Sequence, residues 1–322
     1  MKLLSFSGLH LGDHPKRRLL FSLLAILLAF TSGCGAYNLM TTKAMFREVK
    51  RLPRNPDTGV IEGAEAVTLE GSGPNAALLV HGFVGSRIDF NDLGQVLNER
   101  GLTVRMMRLP GHGTYPVEHA VTTNEELLEA VRKEYSALKE KYDRVALVGF
   151  SMGGTLSSII ASQDGVDRLV LIAPYFGVTH RWYYGPPAEF WNTTTGWMIP
   201  YVIKNSYFTC VNRPEAKEKL FCYRVLSNRG ARELIELGKR ARQPEVLGRI
   251  RCPVLVLHSN GDRAASPRRS EKAFELIGSQ DKRIVWYEDS NHHILWDYDR
   301  EAAKAEIRSF LKPLCETKPK SP

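Results

Sequence analysis

Short apolar runs alternate with segments of helical spacing from residue 64 to residue 311, and this alternation constrains the fold most strongly. Runs such as 76–80 and 145–148 are continuously apolar and only four or five residues long, which is typical of strands covered on both faces. Strands separated by helices form a mostly parallel sheet with helices on both faces, so we predict an α/β fold. The predicted strands are 64–70, 76–80, 102–108, 145–148, 169–172, 254–257 and 284–287; the predicted helices are 89–100, 123–141, 300–311 and one that runs from a glycine turn at 149–154 to residue 163.

The alternation is interrupted between residues 172 and 254, where no core strand is predicted. A bare loop of this length is uncommon, so we expect a small, largely helical cap at residues 176–245, set over one edge of the sheet. This divides the core into residues 64–175 and 246–316, followed by a tail at 317–322. Aromatic residues are concentrated in the insertion, and they form its own core, face a pocket, or do both: Trp182, Tyr183, Tyr184, Phe190, Trp191, Trp197, Tyr201, Tyr207 and Phe208.

Composition excludes several other classes of protein. The chain has 322 residues, 43% of them hydrophobic and 25% charged, which is typical of a globular protein rather than a fibrous or disordered one. A core of this size needs no metal or disulfide to hold it together. The net charge of +9 comes without a long Lys/Arg block or a nucleic-acid motif, so we predict no nucleic-acid partner.

The segment 149–154, Gly-Phe-Ser-Met-Gly-Gly, directly follows a predicted buried strand and opens a predicted helix. A serine hydroxyl is a poor nucleophile, and it must stand clear of the backbone where a base can reach it. A tight turn between strand and helix provides that position, and the turn needs very small neighbours. We therefore predict Ser151 as a nucleophile.

A second loop, His81-Gly82-Phe83, ends the strand at 76–80. Ligands of a parallel sheet bind at the carboxyl ends of its strands, so this loop and Ser151 share one edge. The backbone N–H groups of Phe83 and Met152 are predicted to form an oxyanion hole. We expect the side chain of His81 to brace the loop rather than to transfer a proton.

Asp262 and His292 complete the candidate site. Asp262 stands just beyond the strand at 254–257, and His292 stands just beyond the strand at 284–287. Both are therefore predicted to reach the same edge as Ser151. In this arrangement His292 takes the proton of Ser151, while Asp262 fixes the tautomer of the imidazole and stabilises its charged form.

On these motifs the sequence resembles the α/β-hydrolase family, within it the carboxylesterase and monoacylglycerol-lipase branch. The resemblance covers about residues 64–311, and it implies an esterase that needs no cofactor and works through an acyl-enzyme. It assigns Ser151 as nucleophile, Asp262 as acid and His292 as base, with Phe83 and Met152 as oxyanion donors. The matching motifs are H-G-F (81–83), L-P-G-H-G (109–113), G-F-S-M-G-G (149–154), G-D (261–262) and S-N-H (290–292).

Several alternatives stay open. His293 is a second candidate for the base, although the resemblance favours His292 because similar enzymes place the base two residues after a small serine, here Ser290. Asp289 is the fallback acid if Asp262 is misplaced. The same side chains also serve thioester cleavage, acyl transfer or perhydrolysis, and a non-catalytic envelope binding protein with this fold is a further alternative.

The N-terminus has the features of a targeting segment. Lys16, Arg17 and Arg18 precede an apolar run at 19–30, and a short polar stretch leads to Gly33-Cys34. A run of twelve residues that is apolar apart from Ser22 suits a signal peptide better than a membrane span, which needs about 20 apolar residues. The segment resembles a bacterial lipoprotein signal, although Thr31 stands where a leucine is usual. We therefore predict a signal peptide at 1–33, lipidation of Cys34, a tether at 34–63 and export to the bacterial cell envelope, on the periplasmic side; an uncleaved N-terminal anchor is the alternative.

The remaining predictions concern cysteines and partners. Export permits disulfides, and Cys210 with Cys222 is the favoured pair, with unpaired cysteines as the alternative. The Cys and His spacings indicate no metal site. The expected partners are a small-molecule or lipid acyl ester and, through the N-terminus, a membrane; no obligate protein partner is indicated.

Overall fold

Seven strands form the central sheet in this computed structural model, which describes residues 15–180, 185–203, 210–220 and 223–315. The strands are β1 (Val67–Leu69), β2 (Asn75–Val80), β3 (Thr103–Met106), β4 (Arg144–Phe150), β5 (Arg168–Ile172), β8 (Val254–Ser259) and β9 (Lys282–Tyr287). Their spatial order is β1-β3-β2-β4-β5-β8-β9, and all neighbours are parallel except the edge pair β1 and β3. The predicted mostly parallel sheet is confirmed.

Alternate side chains of the central strands enter two separate apolar layers. In β2, for example, Leu78 packs into one layer and Leu79 into the other, because successive side chains of a strand point to opposite faces. Both layers are fully buried, so the sequence shows continuous apolar runs rather than alternation. The sheet is therefore the rigid element from which the loops of the site project.

Helices cover both faces of the sheet, as predicted. The first layer packs against α4 (Asn124–Lys139), α5 (Met152–Gln163) and α10 (Pro267–Leu276), and the second against α2 (Leu93–Asn98) and α11 (Arg300–Cys315). The predicted capping box of α4 is present, with Thr123 accepting from the Glu126 N–H. Neither α10 nor the short α3 (Pro116–Val121) was predicted, and the helix expected at 89–100 is a 3-10 turn, Arg87–Phe90, followed by α2.

The insertion between β5 and β8 contains α6 (Ala188–Thr194), β6 (Tyr201–Ile203), α7 (Pro214–Lys219), β7 (Val225–Ser227), α8 (Asn228–Ala241) and α9 (Pro244–Leu247). Helices make up more of its described residues than strands do, and β6 and β7 pair as an antiparallel ribbon that the sequence did not indicate. The predicted aromatic residues at 182–184, 207 and 208 lie outside the described residues. Cys222 also lies outside them, and with it the predicted pairing to Cys210.

A single helix, α1 (Pro15–Arg51), occupies the N-terminal part of the described chain. Residues 34–51 are therefore helical, where the sequence indicated an irregular tether. No glycine or proline occurs between Ala36 and Pro53, so nothing interrupts the helix before its observed end. The helix is long and apolar enough to cross a membrane, a property that it shares with signal sequences. The side chains of its apolar run at 19–30 are exposed.

Candidate active site

The register of the sheet brings the ends of five strands to one edge. Val80 of β2 pairs with Gly149 of β4, and Phe150 of β4 pairs with Ile172 of β5. At the other side of β5, the last residues of β8 and β9 pair as Ser259 with Tyr287. Because all these strands are parallel, the loops that follow them meet at the carboxyl edge of the sheet, where ligands of such sheets bind.

Ser151 stands on a tight turn between β4 and α5. Its φ of 51° and ψ of −116° place it in a backbone region that side-chain-bearing residues rarely adopt. The turn has no room for larger neighbours, because a Cβ on Gly149 would overlap the Gly153 carbonyl and a Cβ on Gly153 would overlap that of Val80. The glycines thus permit a strained turn from which the Ser151 side chain projects clear of the neighbouring backbone, as the sequence predicted.

A chain of two hydrogen bonds joins Ser151, His292 and Asp262. His292 Nε2 lies 2.9 Å from Ser151 Oγ, and His292 Nδ1 lies 2.7 Å from Asp262 Oδ2. All three residues are buried. A carboxylate can only accept, so Nδ1 donates to Asp262 and Nε2 is left to accept the serine proton. The structure therefore brings together the three side chains that the sequence selected.

Asp262 is held as a carboxylate by four donors. The backbone N–H groups of Ala264 and Ala265 donate to Oδ1 at 2.7 and 2.9 Å. His258 Nε2 lies 3.2 Å from Oδ2, the oxygen that also accepts from His292. Burial acts to raise the pKa of Asp262, but the charge of His292 and the hydrogen bonds from both histidines outweigh it and hold the pKa well below its usual value. Asp262 is therefore ionised at neutral pH.

Sequence reasoning missed two residues that shape this site. His258 directly follows the apolar run at 254–257, belongs to β8 and is fully buried, and the sequence analysis took it for a core residue at the end of the strand. Asp297, also buried, accepts hydrogen bonds from the backbone N–H groups of Asn291, Asn212 and Arg213. It thereby fixes the loop that carries His292 and ties it to the insertion.

The loop after β2 lies directly against the serine turn. A Cβ on Gly82 would lie 3.2 Å from the Cβ of Ser151, so only a glycine permits this approach without a shift. The Gly82 N–H donates to Asp89 Oδ2 at 3.0 Å, which fixes the loop conformation. Phe83 follows in this loop, and Met152 is the first residue of α5 after Ser151. The two predicted oxyanion donors are therefore the residues that directly follow Gly82 and Ser151, the two residues that approach each other here.

His81 links the loop to the chain after β3. Its Nε2 accepts from the Leu109 N–H at 3.0 Å, and its Nδ1 donates to the Gly82 carbonyl at 2.9 Å. Burial lowers the pKa of His81 to about 3, with a further contribution from the nearby His112. A neutral ring bonded at both nitrogens braces the loop, which is the geometry expected from the sequence.

The two alternatives to His292 and Asp262 lie elsewhere. His293 directs its Nδ1 towards Asp89, 4.0 Å from Oδ1, rather than towards Ser151. Asp289 is exposed, and its backbone carbonyl accepts from Asn212. Of the residues that the sequence left open, His292 is therefore the one whose ring joins Ser151 Oγ to Asp262 Oδ2.

A mostly parallel sheet with a serine on a strand-to-helix turn is the architecture of the α/β hydrolases, and this chain is an α/β hydrolase. A family model described as "Serine aminopeptidase, S33" matches residues 74–299. The chain belongs to this family.

Two curated relatives and a solved structure support the same class. A thermostable monoacylglycerol lipase from Bacillus sp. strain H-257 is 30% identical over 242 residues, which cover 75% of this chain and 91% of the relative. A carboxylesterase from Bacillus subtilis strain 168 is 26% identical over 244 residues, covering 75% and 94%. A structure described under "LipS and LipT, two metagenome-derived lipolytic enzymes" superposes with a TM-score of 0.71 and 26% identity, covering 79% and 99%. The chain is accordingly an ester hydrolase.

Proposed function

We propose that this ester hydrolase acts through a Ser-His-Asp triad of Ser151, His292 and Asp262 and through an acyl-enzyme on Ser151. The observation that carries the proposal is the pair of buried hydrogen bonds from Ser151 Oγ through the His292 ring to Asp262. The low pKa of Asp262 supports its role, because an ionised carboxylate stabilises the imidazolium that forms during the reaction.

In the proposed reaction, Ser151 Oγ attacks the ester carbonyl while His292 Nε2 takes the hydroxyl proton. The negative oxygen of the tetrahedral intermediate binds to the N–H groups of Phe83 and Met152. Loss of one such donor typically costs about 3 kcal/mol of barrier. His292 then protonates the leaving alcohol as the C–O bond breaks, and in the second half it deprotonates the water that releases the acid.

We propose that the substrate has an apolar acyl group and belongs to the monoacylglycerols or lysolipids. A small cleft beside the two proposed oxyanion donors is lined by core residues and by α8 of the insertion, with the apolar side chains of Phe83, Leu127, Met152 and Leu234 and the polar side chains of His112, His119, Thr122 and Glu233. Residues 176–245 act as a cap over this cleft. The similarity to a named monoacylglycerol lipase supports the same substrate class.

A graded series of esters tests this substrate class. On protein starting at residue 34, kcat/KM for p-nitrophenyl esters and monoacylglycerols is expected to rise by up to about fourfold per added methylene until the cleft is filled, since a buried CH₂ contributes about 0.8 kcal/mol. Ser151→Ala protein serves as the blank. A flat profile would contradict an apolar acyl site, and faster turnover of a matched thioester would favour a thioesterase.

We also propose that the N-terminus attaches the enzyme to the envelope membrane, either through a lipidated Cys34 after cleavage behind Gly33 or through an uncleaved α1. The exposed apolar run at 19–30 supports either form. Mass spectrometry of protein extracted from membranes is expected to show a mature chain beginning at an acylated Cys34. An intact chain beginning at Met1 would identify the anchor, and an unmodified N-terminus in the soluble fraction would contradict both.

A further inference from the structure

The second half of α1 is fixed to the insertion by polar contacts along its length. Asn38 Nδ2 donates to the Met198 carbonyl at 2.9 Å, and Glu48 Oε1 accepts from the Arg224 N–H at 3.2 Å. Thr41, between them, is fully buried. The helix therefore sets the position of the cap relative to whatever holds the first half of α1.

In the uncleaved form, the end of the membrane span falls at this contact. A helix needs about 20 residues to cross the hydrocarbon layer. Counted from Leu19, the first apolar residue after the basic cluster, that span ends at Asn38, which bonds to the cap. Tyr37, one residue earlier, accepts from the Ile203 N–H of β6. The cap thus contacts α1 at the position where the helix leaves the hydrocarbon layer.

A lipidated Cys34 would also hold the cap close to the membrane. Cys34 precedes Asn38 by one helical turn, a rise of about 6 Å. Residues 34–51 are helical and provide no flexible linker that would let the enzyme stand away from its acyl chains. Whichever form of attachment holds, the cap is brought to the membrane surface.

Several large apolar side chains are exposed near this contact. Trp197 is 73% exposed, and Leu39 and Met40 of α1 and Ile203 of β6 are also exposed. The Trp197 Nε1–H donates to Thr194 within the cap, so the part of the ring that remains available is apolar. Exposed apolar patches mark interaction sites, and tryptophan is enriched where proteins meet the membrane interface.

We propose that the cap rests on the lipid bilayer, with Trp197, Leu39, Met40 and Ile203 inserted into its interfacial layer. The proposal rests on the membrane attachment described under Proposed function, and it is independent of the catalytic residues. It places the part of the enzyme that covers the cleft at the source of lipid esters.

Quenching of tryptophan fluorescence by brominated lipids tests this contact. Protein purified from membranes in its native processed form is reconstituted in vesicles of equal parts phosphatidylethanolamine and phosphatidylglycerol, with bromine on acyl carbons near the headgroup. Wild-type fluorescence is expected to be quenched, and Trp197→Phe to lose most of the quenched signal. Trp286→Phe is the matched control, because Trp286 is half-buried on the edge strand β9, with its ring centroid 5.8 Å from that of His258, and the substitution is expected to leave the quenching unchanged.

Flotation of the vesicles and hydrolysis of a soluble ester are measured on the same samples. Protein that floats and hydrolyses the ester, but whose quenching is unaffected by Trp197→Phe, would overturn the proposal. Failure to float would contradict the attachment and with it the proposal. Wild-type protein that floats and is quenched, but does not hydrolyse the ester, would contradict the proposed triad and leave the membrane contact supported.

Discussion

His292→Ala is expected to lower kcat for a short acyl ester by about a millionfold, because removal of the base from a serine hydrolase triad typically has an effect of this size. The physical reason is the 2.9 Å contact between His292 Nε2 and Ser151 Oγ. Without it, the hydroxyl must lose its proton to water while it attacks. Steady-state turnover of p-nitrophenyl acetate, corrected for the uncatalysed rate, measures the loss.

The neighbouring His293→Ala is the matched control, since it removes the same ring one residue further along. Its Nδ1 faces Asp89, whose carboxylate holds the Gly82 loop, so we expect a modest effect and retention of most activity. If His293→Ala abolished turnover while His292→Ala kept it, the assignment of the base would be reversed.

Asp262→Asn is expected to lower kcat by about 10⁴-fold, the loss typical of a triad whose acid is replaced by an amide. The amide NH₂ can donate to His292 Nδ1, which forces the proton of the neutral ring onto Nε2. Nε2–H then points at Ser151 and cannot accept its proton. The same NH₂ would also face His258 Nε2, which lies 3.2 Å from Asp262 Oδ2 in the wild type, so that two donors would meet.

Asp289→Asn is the control for this substitution. Asp289 is exposed and its side chain takes no part in the hydrogen bonds of His292, so activity is expected to stay near that of the wild type. Circular dichroism of both variants shows whether they fold. Near-normal turnover of a folded Asp262→Asn, with loss in Asp289→Asn, would move the role of the acid to the fallback residue.

The sheet could be predicted because each central strand is covered on both faces and appears as an uninterrupted apolar run. The positions of Ser151, Asp262 and His292 followed from the same signal, since each stands just beyond such a run and parallel strands end at one edge. The helix α10 escaped prediction because its sequence, Pro267–Leu276, is mostly polar and offers a narrow apolar stripe. The helical part of α1 after Cys34 escaped because its fixed contacts are made with a distant part of the chain.

Other features of the site depend on tertiary contacts that a single sequence does not reveal. The two adjacent histidines differ in the direction of their side chains, which the loop held by Asp297 determines. His258 is indistinguishable in sequence from a buried core histidine, because its contact with Asp262 arises only from the turn after β8. Local sequence patterns thus identified the strand ends that hold the candidate catalytic residues, whereas the orientation of their side chains depends on how the loops pack.

Covalent labelling with a fluorophosphonate tests the central claim most directly. The activated serine attacks phosphorus, fluoride leaves, and the phosphonyl group stays on the oxygen. We predict that peptide mass spectrometry finds the adduct on Ser151 in the wild type and finds none in Ser151→Ala. Ser157→Ala is the control, because Ser157 is a buried serine of α5, the helix that follows Ser151, and this variant is expected to carry the adduct on Ser151. Folded wild-type protein that takes up no label, or a label that persists in Ser151→Ala, would contradict the account.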